Sequence, residues 1–240
     1  MATDGRRHIL AIGGLRSPLS QREPLPALIA HALALSGTAT PRVCVLNTAN
    51  GDDPVSYQKF YAILSQNGAR VSHLQLFTMP NVDDPEDLLL SQDVIFVGGG
   101  SVANMLAVWR VHGIDRTMGR AWESGVVLAG VSAGAICWFE GGTTDSFGPV
   151  LRPFTAGLGL LPGSYCPHYD SEPTRRPIFQ SLVADGSLAA GVACDDGAAA
   201  HFIDHELSAI VAAWDGAAGY LVEPDGSGGS TERPLQPVMI

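Results

Sequence analysis

The sequence predicts an α/β chain: a mostly parallel sheet with helices on both faces, a three-layer sandwich. Three observations predict it. Strand-like and helix-like segments alternate from residue 8 onward. The segments between successive strands are long enough to be helices, which a parallel crossover requires. Three strands run out into glycine turns, Gly13-Gly14, Gly98-Gly99-Gly100 and Gly130-Val131-Ser132-Ala133-Gly134. In such sheets ligand chemistry gathers at the carboxyl ends of the strands.

The elements follow in order. His8 to Gly14 reads as a buried strand ending in a glycine turn. Pro24 to Ser36 reads as a helix, because Leu25, Leu28, Ile29, Ala32 and Leu33 recur at helical spacing and Gly37 stops it. Arg42 to Asn47 is a second strand. Asp53 is placed as an N-cap, Pro54 suits the first turn, and Tyr57, Phe60, Tyr61 and Leu64 form an apolar face up to Gly68. Arg70 to Phe77 alternates as a third strand. An acidic helix, Asp84 to Ser91, precedes the strand Asp93 to Val97. Ser101 to Ser124 is helical with a break near Gly113. Val126 to Ala129 is the next strand, and a helix is expected over Ala133 to Glu140. Beyond Gly141 the pattern loosens. Tyr165 to Tyr169 reads as a strand end, Glu172 to Val183 as a helix, and Ala190 to Cys194 as a short strand entering Asp195-Asp196-Gly197. Leu207 to Trp214 and Ala217 to Val222 read as a closing hairpin, and residues 226–240 as a loop or tail. The 240 residues, with no internal repeat, fit one domain spanning 1–240.

Composition narrows the partners. Net charge is −10, and the basic clusters are only Arg6-Arg7 and Arg175-Arg176, which argues against nucleic acid or an anionic membrane. Hydrophobic content of 46% supports a sizeable core. The four cysteines, Cys44, Cys137, Cys166 and Cys194, lie in apolar stretches without a Cys-x-x-Cys, so neither a zinc site nor a redox pair is indicated. That usage, and an N-terminus without a signal-like apolar run, point to a cytoplasmic location. The apolar runs are too short to span a bilayer.

The chemistry centres on Gly130-Val131-Ser132-Ala133-Gly134. Strand, Gly-x-Ser-x-Gly, helix is the nucleophile-elbow pattern, in which a tight turn projects the serine at the end of the sheet. A serine nucleophile needs a base and a group that orients the base. Of the seven histidines, His168 alone follows an apolar segment and leads into a polar turn, where a base would sit. Two orienting carboxylates remain open by pattern. Asp196, in Asp195-Asp196-Gly197, gives the order Ser, His, Asp; Asp145 gives Ser, Asp, His. Oxyanion donors are expected from the N–H of Ala133 and from Gly99 or Gly100. The glycine runs lack both the Gly-x-x-x-x-Gly-Lys and the Gly-x-Gly-x-x-Gly patterns, so a phosphate cradle is disfavoured.

Taken together, Val97-Gly98-Gly99-Gly100-Ser101, Gly130-Val131-Ser132-Ala133-Gly134-Ala135 and Pro167-His168-Tyr169 resemble the peptidase E (aspartyl dipeptidase) family, which includes cyanophycinases. The resemblance runs from about Ile9 to Val222. It implies a flavodoxin-like sheet related to class I glutamine amidotransferases, with serine in place of their cysteine. It implies a serine exopeptidase, without metal or cofactor, that releases an N-terminal aspartate from small peptides. By position, Ser132 would be the nucleophile and His168 the base. The family's acid lies in a turn that Asp195-Asp196-Gly197 occupies, which favours Asp196, with Asp195 or Asp145 as alternatives. Arg175 falls where the family has an arginine suited to the substrate's carboxylate; Arg176 is its neighbour.

The expected activity is therefore hydrolysis of short peptides through Ser132, His168 and Asp196. The alternatives are a cyanophycinase-like or broader serine peptidase, and a non-catalytic binding protein on an amidotransferase-like scaffold. The expected partner is a small peptide, with a homodimer left open.

Overall fold

The computed structural model describes residues 5–15 and 26–240. Among these residues, fourteen strands and seven α-helices form two sheets and their covering layers. The elements are β1 (His8–Ile12), α1 (Ala27–Leu35), β2 (Arg42–Leu46), α2 (Pro54–Gln66), β3 (Arg70–Leu74), α3 (Pro85–Leu90), β4 (Val94–Val97), α4 (Val102–His112), α5 (Ile114–Glu123), β5 (Val127–Val131) and α6 (Ala133–Ile136). They continue with β6 (Phe139–Thr144), β7 (Arg152–Phe154), β8 (Leu161–Cys166), α7 (Arg175–Ala184), β9 (Gly191–Cys194), β10 (Ala198–Ile203), β11 (Glu206–Ala212), β12 (Gly219–Pro224), β13 (Ser230–Leu235) and β14 (Pro237–Met239).

The first sheet has eight strands in the order β14-β11-β10-β1-β5-β4-β2-β3. Its central strands β1, β5, β4, β2 and β3 pair in parallel. The pleat sends alternate residues to opposite faces. Leu10, Ile12, Val43, Val45, Val94 and Phe96 pack under α1 and α2. Ile9, Ala11, Cys44, Leu46, Ile95 and Val97 pack against α4, α5 and the second sheet. With both faces covered, β1 and β4 are buried along their whole length, which is why they read as unbroken apolar runs. The flavodoxin-like α/β class stands.

The caps fall where side-chain chemistry puts them. Asp53 accepts from Ser56 N–H at 2.9 Å, Asp84 from Asp87 N–H at 3.0 Å and Ser101 from Asn104 N–H at 3.2 Å. Gly113, at φ 73°, ends α4 and opens α5. Of the helix expected from Pro24, the part over Pro24 and Leu25 lies outside the described residues.

The second half departs from expectation. A six-stranded sheet, β13-β12-β9-β8-β6-β7, lies across one face of the first, and α7 covers its outer side through Phe179 and Val183. The helix expected over Ala133 to Glu140 stops at Ile136, and Phe139–Thr144 is strand β6. Its Gly141 and Gly142 are poor strand formers in isolation, but a Cβ on either would press on β7 or β8, within 3.2 Å of Phe154 and 3.3 Å of Tyr165 backbone carbon. The closing hairpin does not form. β11 pairs with β10 and β14 in the first sheet, whereas β12 pairs with β9 and β13 in the second. Nor is 226–240 a tail. Residues after a turn held by Asp225 pair as β13 and β14, with Val222 opposite Glu232 and Val211 opposite Val238.

Two contacts tie the sheets together. The buried Tyr165 hydroxyl of β8 donates to Ala11 O of β1 at 2.9 Å. Past the strand ends, Gly14 pairs with Asp196, and Gly197 N–H donates to Gly14 O at 2.9 Å. No helix among the described residues is long and apolar enough to cross a membrane.

Candidate active site

Ser132 sits between β5 and α6 with φ 55° and ψ −115°. A non-glycine residue at that combination is strained and persists only where its surroundings impose it. The surroundings are visible. Ser132 N–H donates to Ile12 O at 3.1 Å, and its own carbonyl accepts from Ala135 and Ile136 at 2.9 Å. Gly130 and Gly134 are needed for close approach. A Cβ on Gly130 would lie 2.5 Å from Gly134 C, and one on Gly134 would lie 2.8 Å from Val97 C. The second glycine therefore lets the elbow press against the end of β4.

The turn after β4 supplies the next wall. A Cβ on Gly99 would stand 3.3 Å from Ser132 Cβ and 3.8 Å from its Oγ, so the Gly99 backbone lies beside the serine. Gly100, at φ 138°, instead packs against Ala49 and Asn50. Ala133 opens α6, so its N–H has no intrahelical acceptor.

His168 follows β8 at φ 53°. Its backbone is fixed on both sides: Tyr169 N–H donates to Cys194 O, and Glu172 N–H donates to His168 O, each at 3.2 Å. Its Nδ1 is 2.7 Å from Asp196 Oδ1. Burial alone would raise the Asp196 carboxyl. The hydrogen bond and charge of His168, with help from Ser171 and Arg175, outweigh burial and hold it below the usual carboxylate range. Asp196 is thus an ionised acceptor for a His168 Nδ1–H, which leaves Nε2 free to act as a base. Asp170 Oδ1 anchors the Asp196 backbone N–H at 2.8 Å.

The other candidate acids are elsewhere. Asp195 is 4% exposed and accepts from Ala218 N–H at 3.1 Å rather than from His168. Asp145 is exposed just beyond β6, with no bond to His168. Burial first, and then Asp170, push the Asp195 carboxyl up to about 6, and its Oδ1 is buried without a partner. The raised value means that the folded protein holds this proton more tightly than the unfolded chain. Asp195 therefore costs stability above pH 6, and the cost fades as pH falls toward the unfolded value. Asp195→Asn is expected to raise stability at pH 7–8 by about 1–3 kcal/mol, a gain that shrinks by pH 4. Urea unfolding at the two pH values checks it.

One participant escaped the sequence reading. Gly14 is not only a strand-ending turn: a Cβ there would stand 2.8 Å from His168 Nδ1 and 2.6 Å from Asp196 Cγ. Ser132 leans on Ile12 and the His168–Asp196 pair on Gly14, so the end of β1 touches both the serine backbone and the pair. Gly14→Ala is expected to drive the pair apart and lower kcat on the order of a hundredfold, with little change in circular dichroism.

Arg175 opens α7 and is 3% exposed. It donates from Nε to Glu172 at 2.6 Å and from Nη1 to Thr143 O at 3.2 Å, which draws the His168 loop onto β6. Arg176 pairs with Glu232 instead. The four cysteines are buried thiols, and burial pushes Cys44, Cys166 and Cys194 up to about 12, so none is a nucleophile at neutral pH. Among the described residues no group of three or more His, Cys, Asp or Glu could hold a metal ion.

Comparison with known proteins places the chain among peptidases. The chain is 43% identical over 201 residues to Uncharacterized peptidase YgaJ of Bacillus subtilis (strain 168), covering 84% of this chain and 85% of the relative. It is 29% identical over 118 residues to Peptidase E of Shewanella denitrificans (strain OS217), covering 49% of this chain and 50% of the relative. The crystal structure of a peptidase from an acI-B1 Actinobacterium superposes with a TM-score of 0.68 at 15% identity, covering 97% of this chain and 96% of the other, a likeness of fold. The model of peptidase family S51 matches residues 9–210. A strained serine at a strand-to-helix elbow thus sits in a chain that belongs to peptidase family S51, the peptidase E family, and is a serine-type peptidase.

Proposed function

We propose that the protein is a dipeptidase E-like exopeptidase that cleaves short peptides through Ser132, His168 and Asp196, with N-terminal aspartate as the favoured residue. The observation that carries the reading is the 2.7 Å contact between His168 Nδ1 and Asp196 Oδ1, wedged against Gly14 at the strand end that also anchors Ser132.

The proposed reaction runs in two halves. His168 Nε2 takes the Ser132 proton as Oγ attacks the scissile carbonyl. The N–H of Ala133 and one from the Gly99-Gly100 turn receive the oxyanion. The His168 proton then passes to the leaving amine, and the C–N bond breaks to leave an acyl-serine. Water, deprotonated by His168, attacks the ester and frees the enzyme. Asp196 keeps Nδ1 protonated throughout and stabilises the imidazolium that forms.

Arg175 is the proposed cation for the substrate's aspartate side chain, since a planar guanidinium suits a carboxylate. Its bond to Glu172, whose side chain is 45% exposed, means that a substrate carboxylate would have to displace or share that partner. The same bond supports a second reading, a broader peptidase in which Arg175 only orders the loop. Hydrolysis of dipeptides and aminoacyl anilides bearing Asp, Glu, Asn, Leu or Arg separates them. If the first reading holds, Arg175→Lys loses activity on Asp substrates selectively, by about tenfold or more. Equal loss on all substrates would assign the broader specificity, and no Ser132-dependent cleavage of any substrate would refute both.

A further inference from the structure

We infer that Glu232, on the second-sheet edge strand β13, is a positioning residue that fixes the His168 loop and the start of α7 relative to Ser132. The inference rests on the peptidase reading above. Three side chains from one stretch of chain converge on this carboxylate. The Tyr169 hydroxyl donates to Oε2 at 2.6 Å, Gln180 Nε2 at 2.8 Å and Arg176 Nε at 3.0 Å, while Arg176 Nη2 donates to Oε1. Tyr169 adjoins His168, and Arg176 adjoins Arg175. One carboxylate therefore holds the immediate neighbours of both the proposed base and the proposed substrate cation.

The surroundings make the contact specific. β13 is an edge strand with Thr231, Arg233 and Pro234 exposed, and it turns Glu232, with a side chain only 15% exposed, toward α7. The Arg176 guanidinium lies over two rings, 5.3 Å from the Tyr169 ring centre and 4.8 Å from that of Tyr220, as it meets the carboxylate. Tyr169 is itself 2% exposed, packed edge-on to Phe179 at 6.3 Å and beside Tyr220 at 5.3 Å. Burial alone would raise the Glu232 carboxyl, but bonds from Arg176, Tyr169 and Gln180 hold it below its usual range, so it stays a charged acceptor at neutral pH. Losing it would leave a buried phenol and an exposed guanidinium without this acceptor, on the segment that carries His168.

The test compares wild type with Glu232→Ala, Glu232→Gln and Tyr169→Phe. Two quantities are read: kcat and KM on the best peptide of the panel, and amide hydrogen exchange over residues 168–176. Glu232→Ala is expected to accelerate exchange there and to lower kcat on the order of a hundredfold, with a smaller change in KM. Glu232→Gln keeps one acceptor oxygen and should fall between. Tyr169→Phe keeps the packed ring and removes one bond, so it should show a weaker form of the same kcat loss; it carries the test if Glu232→Ala fails to fold. Unchanged kcat, or unchanged exchange over 168–176, in folded variants would overturn the inference. An inactive wild type would instead refute the peptidase reading, and the exchange comparison would still decide whether Glu232 orders this segment.

Discussion

Replacing Ser132 by Ala is expected to remove hydrolysis almost entirely, with kcat falling on the order of a millionfold, the scale seen when a serine nucleophile is deleted. The few turnovers left would come from the oxyanion donors acting on bound water. A companion variant gives the elbow a physical signature. At φ 55° and ψ −115° the serine backbone is strained, and glycine tolerates that region without the Cβ clash. Ser132→Gly should therefore be as inactive as the alanine variant and more stable than it, by about 1–3 kcal/mol less the entropy that glycine adds to the unfolded chain. Equal activity of wild type and Ser132→Ala in a peptide assay would end the proposed mechanism. Equal stability of the two variants in urea would remove the strain argument.

The second large effect is expected at Asp196. Asp196→Asn preserves size, yet the amide can turn its NH2 toward His168 Nδ1. The imidazole then carries its proton on Nε2, where the base lone pair is needed. In serine triads that error costs about ten-thousandfold in kcat. Stability should respond in the same place. The folded carboxyl lies below its usual value, so Asp196 stabilises the protein fully above the unfolded pKa, and that contribution is lost as pH falls through the lowered folded value. Urea midpoints of wild type and Asp196→Asn should therefore differ at pH 7 and draw together as pH falls below the usual carboxylate range. A kcat near wild type in the asparagine variant would move the orienting role to another residue.

The parts of the site readable from sequence are those where backbone geometry restricts residue type. Gly130 and Gly134 bracket Ser132 because a Cβ at either would strike backbone, and Gly99 is bare because the serine lies against it. Steric demands of this kind leave a local pattern. The His168–Asp196 contact leaves none: pattern alone admitted Asp145 as readily as Asp196, and only the resemblance favoured the latter. Gly14 was visible as a turn but not as the wedge under the pair, since that role depends on β1 meeting a strand end far along the chain. The parallel strands β1 to β5 of the first sheet were legible in the sequence, whereas β14 lay in the segment read as a tail and β11 was read as a hairpin partner of β12. The second sheet was not, because β6 carries Gly141 and Gly142 and pairs with β8 further along the chain, while β13 is a polar return strand paired with β12. Glu232 belongs to that unread part, in a segment that looked like a tail.

The pairing of Tyr165 with Ala11 has a consequence for how this enzyme would fail. Ser132 rides on the first sheet and His168 follows β8 of the second, while Asp196 lies in the short link between β9 of the second and β10 of the first and bridges to Gly14. Activity is then a gauge of the seam between two sheets, each of which can keep its own hydrogen bonds when the seam loosens. Mild denaturant should silence turnover while circular dichroism still reports full secondary structure. The same division lets loops of the second sheet be remodelled, and specificity with them, while the strand that presents the nucleophile stays untouched.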